Sequence, residues 1–258
     1  IEIDPKLGTN LSDLKSHEPD VVFICLPTPM NDDGTQNINL VKNIIQEISK
    51  FDQNLLIVIK STILPKYVEE VLKIRSNLVI NPEFLREKFA NEDFIKSDII
   101  IFGGEATYCR KLSYFYKNHT NCICNDYVIT DAITASLIKY TINSFLALKV
   151  IFFNEIKSVF DNLSIEDNWS DFISALSKDN RIGDSHMNVP GPDGRYGFGG
   201  PCFPKDVNAL IKYSQEIGYE LSLLKKANNI NNAIRAKYND ETVREKEQNI
   251  KFNDNQEE

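Results

Sequence analysis

Three histidines, two methionines and one tryptophan are all that these 258 residues contain of those types. His17, His119 and His186 are scattered, so no metal-ligand spacing forms around them. Five cysteines, an odd number at irregular spacing, exclude a disulfide scaffold and fit a reducing compartment. Cys122-x-Cys124 lacks the second pair that a zinc site needs. Basic charge is in deficit: the net charge is −8, which argues against a chain that coats nucleic acid. No unbroken apolar run approaches the roughly 18 residues of a membrane span, and no signal peptide is visible. No nucleic-acid or membrane partner and a cytoplasmic location are therefore expected. A G-x-G-x-x-G turn is also missing. Gly197-x-Gly199 is not its equivalent, because no strand precedes it and the third glycine is misplaced.

What remains is ordinary globular material, 42% hydrophobic and 26% charged. The first half alternates apolar runs with helical patterns. Val21–Leu26, Leu55–Ile59, Leu78–Ile80 and Ile99–Phe102 suit strands buried on both faces. Leu40, Ile44, Ile45 and Ile48 share a helical spacing, and Pro65 can open a second helix. This rhythm predicts an α/β unit with a parallel sheet and right-handed crossovers. From Asp131 to Phe160 the pattern is one long helix without glycine or proline, its apolar face including Leu137 and Phe145. A shorter helix around Asp171–Leu176 follows, then a loop from about Asp179 to Pro204 and two more helices. The stretch Glu241–Glu258 is charged and poor in large apolar residues, so disorder is expected there.

Several segments could carry chemistry. Gly197-Phe-Gly-Gly-Pro-Cys-Phe-Pro-Lys-Asp206 places a cysteine after three glycines and before a helix start. Glycine lets backbone approach a ligand closely, and a helix N-terminus with a nearby ammonium favours thiolate. The bland alternative is a surface turn with an inert cysteine. Asn81–Glu87 follows a predicted strand, where ligands of parallel sheets sit; the alternative is a surface ion pair. Lys60-Ser61-Thr62 and Thr28 also end strands, with a helix cap as the plain reading of the hydroxyls. Lys139 and Asn143 are four apart on the long helix and share one face, facing either a polar cavity or solvent.

In order along the chain, DVVFICLPTP (Asp20–Pro29), DDGT (Asp32–Thr35), IKST with its proline (Ile59–Pro65) and NPEFLRE (Asn81–Glu87) stand in the first half. LIKYTINSFLALKVIFFNE (Leu137–Glu155), RIG (Arg181–Gly183) and GFGGPCFPKD (Gly197–Asp206) follow. Together they resemble the UDP-glucose/GDP-mannose dehydrogenase family. The resemblance implies a partial Rossmann-type domain over residues 1–128, an all-α dimerisation domain carrying the cysteine loop over 129–240, and a charged tail over 241–258. It implies NAD as cofactor and two successive oxidations at C6 of a nucleotide sugar, UDP-glucose, in a homodimer. GDP-mannose as substrate, or a non-catalytic binding or dimerising fragment, are the alternatives. Cys202 would be the nucleophile. Lys139 and Asn143 would stabilise the oxyanion, and Asp206, Glu83 and Thr62 would manage protons and water. Thr28, Ser61, Thr62, Glu87 and Lys205 would lie beside the cofactor. Phe84, Leu85, Arg86 and Gly199 would meet the nucleotide sugar with Lys139 and Asn143, and Arg181 would reach a neighbouring subunit's sugar. Because the chain starts inside a domain at Ile1 and lacks the glycine turn, the resemblance implies a chain shortened at both ends, with impaired activity expected.

Overall fold

The computed structural model describes residues 1–52, 54–124, 126–238 and 240–252, without the side chains of Phe51 and Glu87. The chain divides into two compact units. The sheet unit comprises Ile1–Thr28 and Gln36–Lys139, and the helical unit Pro29–Thr35 and Tyr140–Glu258.

The sheet unit begins with a short helix α1 (Leu14–His17) before strand β1 (Val21–Ile24). It continues through α2 (Asn39–Phe51), β2 (Leu56–Ile59), α3 (Pro65–Ile74), β3 (Leu78–Ile80), α4 (Ala90–Ile95), β4 (Ile100–Gly103), α5 (Ala106–His119) and β5 (Tyr127–Thr130). The strands lie in the order β1-β2-β3-β4-β5. β2 shows why apolar runs become strands here: its side chains alternate between two buried clusters. Ile57 and Ile59 join α2 and α3 on one face, while Leu56 and Val58 join α5 on the other. On α2 the buried stripe is Val41, Ile45 and Ile48, whereas Leu40 is exposed, one position off the expected face. Pro65 occupies the first turn of α3, where its missing N–H costs nothing.

The expected parallel sheet is corrected at one joint. β1, β2 and β3 pair in parallel, and so do β4 and β5, but β3 meets β4 antiparallel at Ile80 and Gly103. The sheet is therefore mixed. β5 carried no clear sequence signal, because Val128 and Ile129 are exposed.

Helix α6 (Ala132–Asp161) runs unbroken for 30 residues, as the sequence predicts. The Asp131 carboxylate caps it by accepting from Thr134 N at 2.8 Å. Ala132 and Ala135 pack into the sheet core, so the compact sheet unit takes in the first turns of α6 as far as Lys139. Gly103 belongs here too: a Cβ on it would collide with the Ala135 methyl. Over its most apolar 18 residues α6 has a mean hydropathy of 1.4, long and apolar enough by composition to cross a membrane. That corrects the expectation that no segment reaches spanning length, although 39% of the same window is buried within the protein.

The helical unit holds the rest of α6, then α7 (Trp169–Leu176), α8 (Phe203–Glu216), α9 (Ser222–Arg235) and α10 (Val243–Glu247). Its core is Ala147, Ile151, Phe198, Val207, Ile211, Leu224 and Ala227. Phe145, Phe152 and Val159 of α6 stay exposed, as does Leu137 in the sheet unit, so the apolar face is not wholly buried. The expected disorder after Glu241 is also corrected. α10 has a reciprocal capping box between Thr242 and Glu245, and Glu245 and Ile250 are buried. Residues 253–258 lie outside the described residues.

Candidate functional site

In the sheet unit the candidate residues gather on the loops that leave the carboxyl ends of β1, β2 and β3. Parallel strands leave a crevice there for ligands. Thr28 is buried and donates its hydroxyl to the Thr62 carbonyl at 2.9 Å. Ser61 is buried and ties the β1 loop to the β2 loop. It accepts from Leu26 N at 2.9 Å and donates to Leu26 O at 2.7 Å. Gln36 completes the clamp. Its amide donates to Thr62 O at 2.6 Å and accepts from Leu64 N at 3.0 Å. Gln36 is not marked in the sequence, because an isolated glutamine carries no spacing signal. Thr62 thus contributes its carbonyl to the scaffold, and its side chain is half-buried.

After β3, the Asn81 amide is buried and donates to Ile101 O at 2.9 Å. Lys60 approaches Glu83 at 3.1 Å, with the Lys60 side chain 10% exposed and that of Glu83 43% exposed. A cavity of ≈ 20 Å³ adjoins Lys60, Asn81, Glu83 and Tyr116. That is room for about one water molecule. Phe84 and Leu85 are half-buried beside it. The exposed Arg86 grips Asp93 through two hydrogen bonds of 3.0 and 2.7 Å, and this ion pair holds the Asp93 carboxyl at about 2, well below the usual range. Both acidic and basic ends of this segment are thus ion-paired, Arg86 with Asp93 and Glu83 with the largely buried Lys60. The Glu87 side chain lies outside the described residues. Lys139 is buried and donates to the Glu83 carbonyl at 2.5 Å, with its ammonium 5.2 Å from the centre of the Phe84 ring. It does not belong to a solvent stripe.

In the helical unit Cys202 is the N-cap residue of α8 and is exposed. No disulfide joins any of the five cysteines. One turn on, Asp206 is almost fully buried. One of its oxygens accepts from Lys205 Nζ at 2.5 Å and the other from Asn143 Nδ2 at 2.6 Å. The buried charge is thus paired and hydrogen-bonded on both sides. The Lys205 ammonium faces this carboxylate. Arg181 stands in a turn after α7, exposed, with its guanidinium on Asp179 at 2.6 Å.

The glycine loop is packed from behind by side chains the sequence reading missed. Gly197 N donates to Asn154 Oδ1 at 2.9 Å, and Asn231 holds the Phe198 backbone from both sides at 2.6 and 3.0 Å. Gly200 N donates to Glu245 Oε1 at 2.9 Å. Glu245 in turn pairs with the buried Arg235 at 3.2 Å, which also holds Asp193 at 2.7 Å. A Cβ on Gly199 would strike the Arg235 guanidinium, and one on Gly197 would come 2.6 Å from Asn231 Oδ1. These two glycines make room for the protein's own side chains, which the ligand-approach reading did not foresee. Burial pushes the Glu245 carboxyl up. The Thr242 and Gly200 N–H groups and the Arg235 charge outweigh it, and the net direction is down. A larger cavity of ≈ 330 Å³ between α6 and the end of α9 touches none of the candidate residues. Among the described residues no cluster could hold a metal ion.

Comparison with known proteins adds a family to this geometry. Residues 7–120 match the NAD binding domain of the UDP-glucose/GDP-mannose dehydrogenase family, and residues 133–233 match that family's central domain. A UDP-glucose 6-dehydrogenase from Rickettsia felis is 34% identical over 226 residues, covering 84% of this chain and 48% of the relative. One from Rickettsia bellii is 37% identical over 212 residues, covering 77% and 45%. Among solved structures, a UDP-glucose dehydrogenase from the hyperthermophilic archaeon Pyrobaculum islandicum aligns with a TM-score of 0.72 at 29% identity. That alignment covers 85% of this chain and 52% of the other. The chain spans about half the length of the curated relatives it matches.

Proposed function

The chain belongs to the UDP-glucose/GDP-mannose dehydrogenase family, and from that premise we propose that the whole protein oxidises UDP-glucose to UDP-glucuronate with NAD. The observation that carries this reading is the start of α8. An exposed cysteine stands at the N-cap position of the helix, and a buried carboxylate one turn later is held by Lys205 and Asn143.

The residues at the carboxyl edge of β1–β3 fit the nicotinamide half of the cofactor. Thr28 and Ser61 spend their hydroxyls on loop backbone and so shape a small, uncharged ledge. NAD, when bound, would accept one hydride in each oxidation, so two NAD are consumed in turn. Thr62 and Glu87 neighbour that ledge in sequence, and Lys205 serves through Asp206. In the first oxidation the C6 alcohol loses a proton and a hydride to become an aldehyde. The Cys202 sulfur then adds to the aldehyde carbon, forming a C–S bond and a thiohemiacetal. Loss of a second hydride makes a thioester, and water cleaves the C–S bond to release the acid and restore the thiol. Lys139 and Asn143 stabilise the negative oxygen that appears at each stage. Asp206 and Glu83 hold and move the protons, with Thr62 placing the water. Phe84, Leu85, Arg86 and Gly199 contact the nucleotide sugar. The exposed Phe145, Phe152 and Val159, seven apart along α6, support a homodimer through this helix, with Arg181 serving the neighbouring site. Cysteines outside disulfides agree with a cytoplasmic enzyme.

The test is NADH formation by the full-length protein with UDP-glucose and NAD, beside Cys202→Ser. Turnover to the acid that disappears in the variant is expected. Equal turnover in both, or preference for GDP-mannose, would sink the reading. Binding of the nucleotide sugar without any turnover would favour a non-catalytic module.

A further inference from the structure

Lys60 follows directly on the fully buried β2, and its ammonium is largely withdrawn from water. It meets three oxygens: Asn81 Oδ1 at 3.1 Å, the Tyr116 hydroxyl at 3.3 Å and Glu83 Oε1 at 3.1 Å. An ammonium has three protons and accepts nothing, so these partners account for it. Two of the three are rigid. Asn81 is fixed through Ile101 O and through its own N–H on Ile59 O at 2.9 Å. Tyr116 is buried among the rings of Phe23, Phe94 and Phe102 and donates to Asn81 Oδ1 at 2.5 Å. Glu83 is the more exposed partner, its side chain 43% exposed on a loop. Its backbone carbonyl is already held by Lys139. Lys60 therefore secures the other end, the carboxylate.

We propose that Lys60 is a positioning residue: anchored by Asn81 and Tyr116, its ammonium holds the Glu83 carboxylate in the orientation from which Glu83 moves protons. This rests on the role given to Glu83 above. The other charged or titratable groups facing Glu83 are Cys25 at the end of β1, Tyr116 on α5 and Lys139 on α6. Arg86, on the same loop, is paired with Asp93. Cys25 is a convenient reporter. Desolvation and the Glu83 carboxylate push its thiol up, and Lys60 draws it down.

The experiment uses the full-length protein with Lys60→Met, Lys60→Arg, Glu83→Gln and the double variant Lys60→Met/Glu83→Gln. Lys60→Met is expected to lower kcat by about tenfold to a hundredfold, the size of a misplaced group. KM for UDP-glucose should move by less than about twofold, since ground-state binding is untouched. Lys60→Arg should recover most of the loss, and the double variant should be no slower than Glu83→Gln alone. Additive losses, or a KM rise in place of a kcat fall, overturn the proposal. Turnover that is absent in the parent protein, or that survives Cys202→Ser, removes the functional reading instead. The Cys25 measurement then decides by itself. Peptide-resolved alkylation at fixed pH should slow in Lys60→Met and quicken in Glu83→Gln, because the thiolate is what reacts. Equal rates in the two variants overturn the pairing with or without activity.

Discussion

At the sheet edge, Thr28, Ser61 and Gln36 hold backbone; around α8 and α10, buried charges hold one another. Thr28, Ser61 and Gln36 each spend their hydrogen bonds on main-chain groups of neighbouring loops. Lys205, Asp206 and Asn143, and separately Arg235, Glu245 and Asp193, form closed charged sets. The first construction is built from independent bonds of modest worth, so it should lose stability in small steps. The second is built from charges taken out of water, where removing one partner strands the others. The contrast suits the roles proposed. A ledge for a cofactor needs shape, whereas a site that stabilises an oxyanion needs fixed charge.

Removing a charge from the closed sets should have the largest effect on stability. Asp206→Asn leaves the Lys205 ammonium, on a side chain 10% exposed, without its carboxylate. A loss of about 3–5 kcal/mol is expected in urea unfolding. A loss under about 1 kcal/mol, the level of an exposed pair, would dissolve the contrast. Next comes Gly199→Ala, whose methyl has no room against Arg235 and Glu245. About 1–3 kcal/mol is expected, as for other overpacked sites. Calorimetry that shows an unchanged melting temperature would mean that the Arg235 set yields easily. At the sheet edge, Ser61→Ala removes two backbone bonds and should cost about 1–2 kcal/mol. A cost as large as that of Asp206→Asn would erase the distinction.

The smallest effect is on acid stability. The Glu245 carboxyl is lower in the folded protein than its ordinary value of 4.5, and that of Asp93 is lower than its ordinary 3.8. A depressed carboxyl stabilises the fold at higher pH and loses that contribution as pH falls through the folded value. Urea midpoints should therefore decline below about pH 4.5, and Glu245→Gln should flatten part of the decline. Asp93→Asn should hardly alter it, because that pair is solvated.

How much of this was readable beforehand differs along the same lines. The strands, the long helix and the run ending in Cys202, Lys205 and Asp206 stood out because apolar spacing and local order carry them. The reversed pairing of β3 with β4 did not, since strand direction leaves no mark on composition. β5 was hidden by its exposed Val128 and Ile129. α6 reads as one continuous pattern, and its first turns belong to the compact sheet unit. α10 did carry a signal, the Thr242-x-x-Glu245 capping box, which the charge of the surrounding tail overshadowed. Lys60 stands in a legible motif, but its partners Asn81 and Tyr116 come from other elements and converge only in three dimensions.

The most direct test of the central claim, that Cys202 carries the second oxidation, is the stoichiometry of the reaction with its covalent state. The full-length protein is mixed with limiting UDP-glucose and excess NAD, quenched in acid, and the Cys202 peptide weighed by mass spectrometry. The account predicts two NADH for each sugar consumed and a nucleotide-sugar adduct on Cys202 that hydroxylamine removes. One NADH per sugar, with aldehyde released and the Cys202 peptide unmodified, would contradict it.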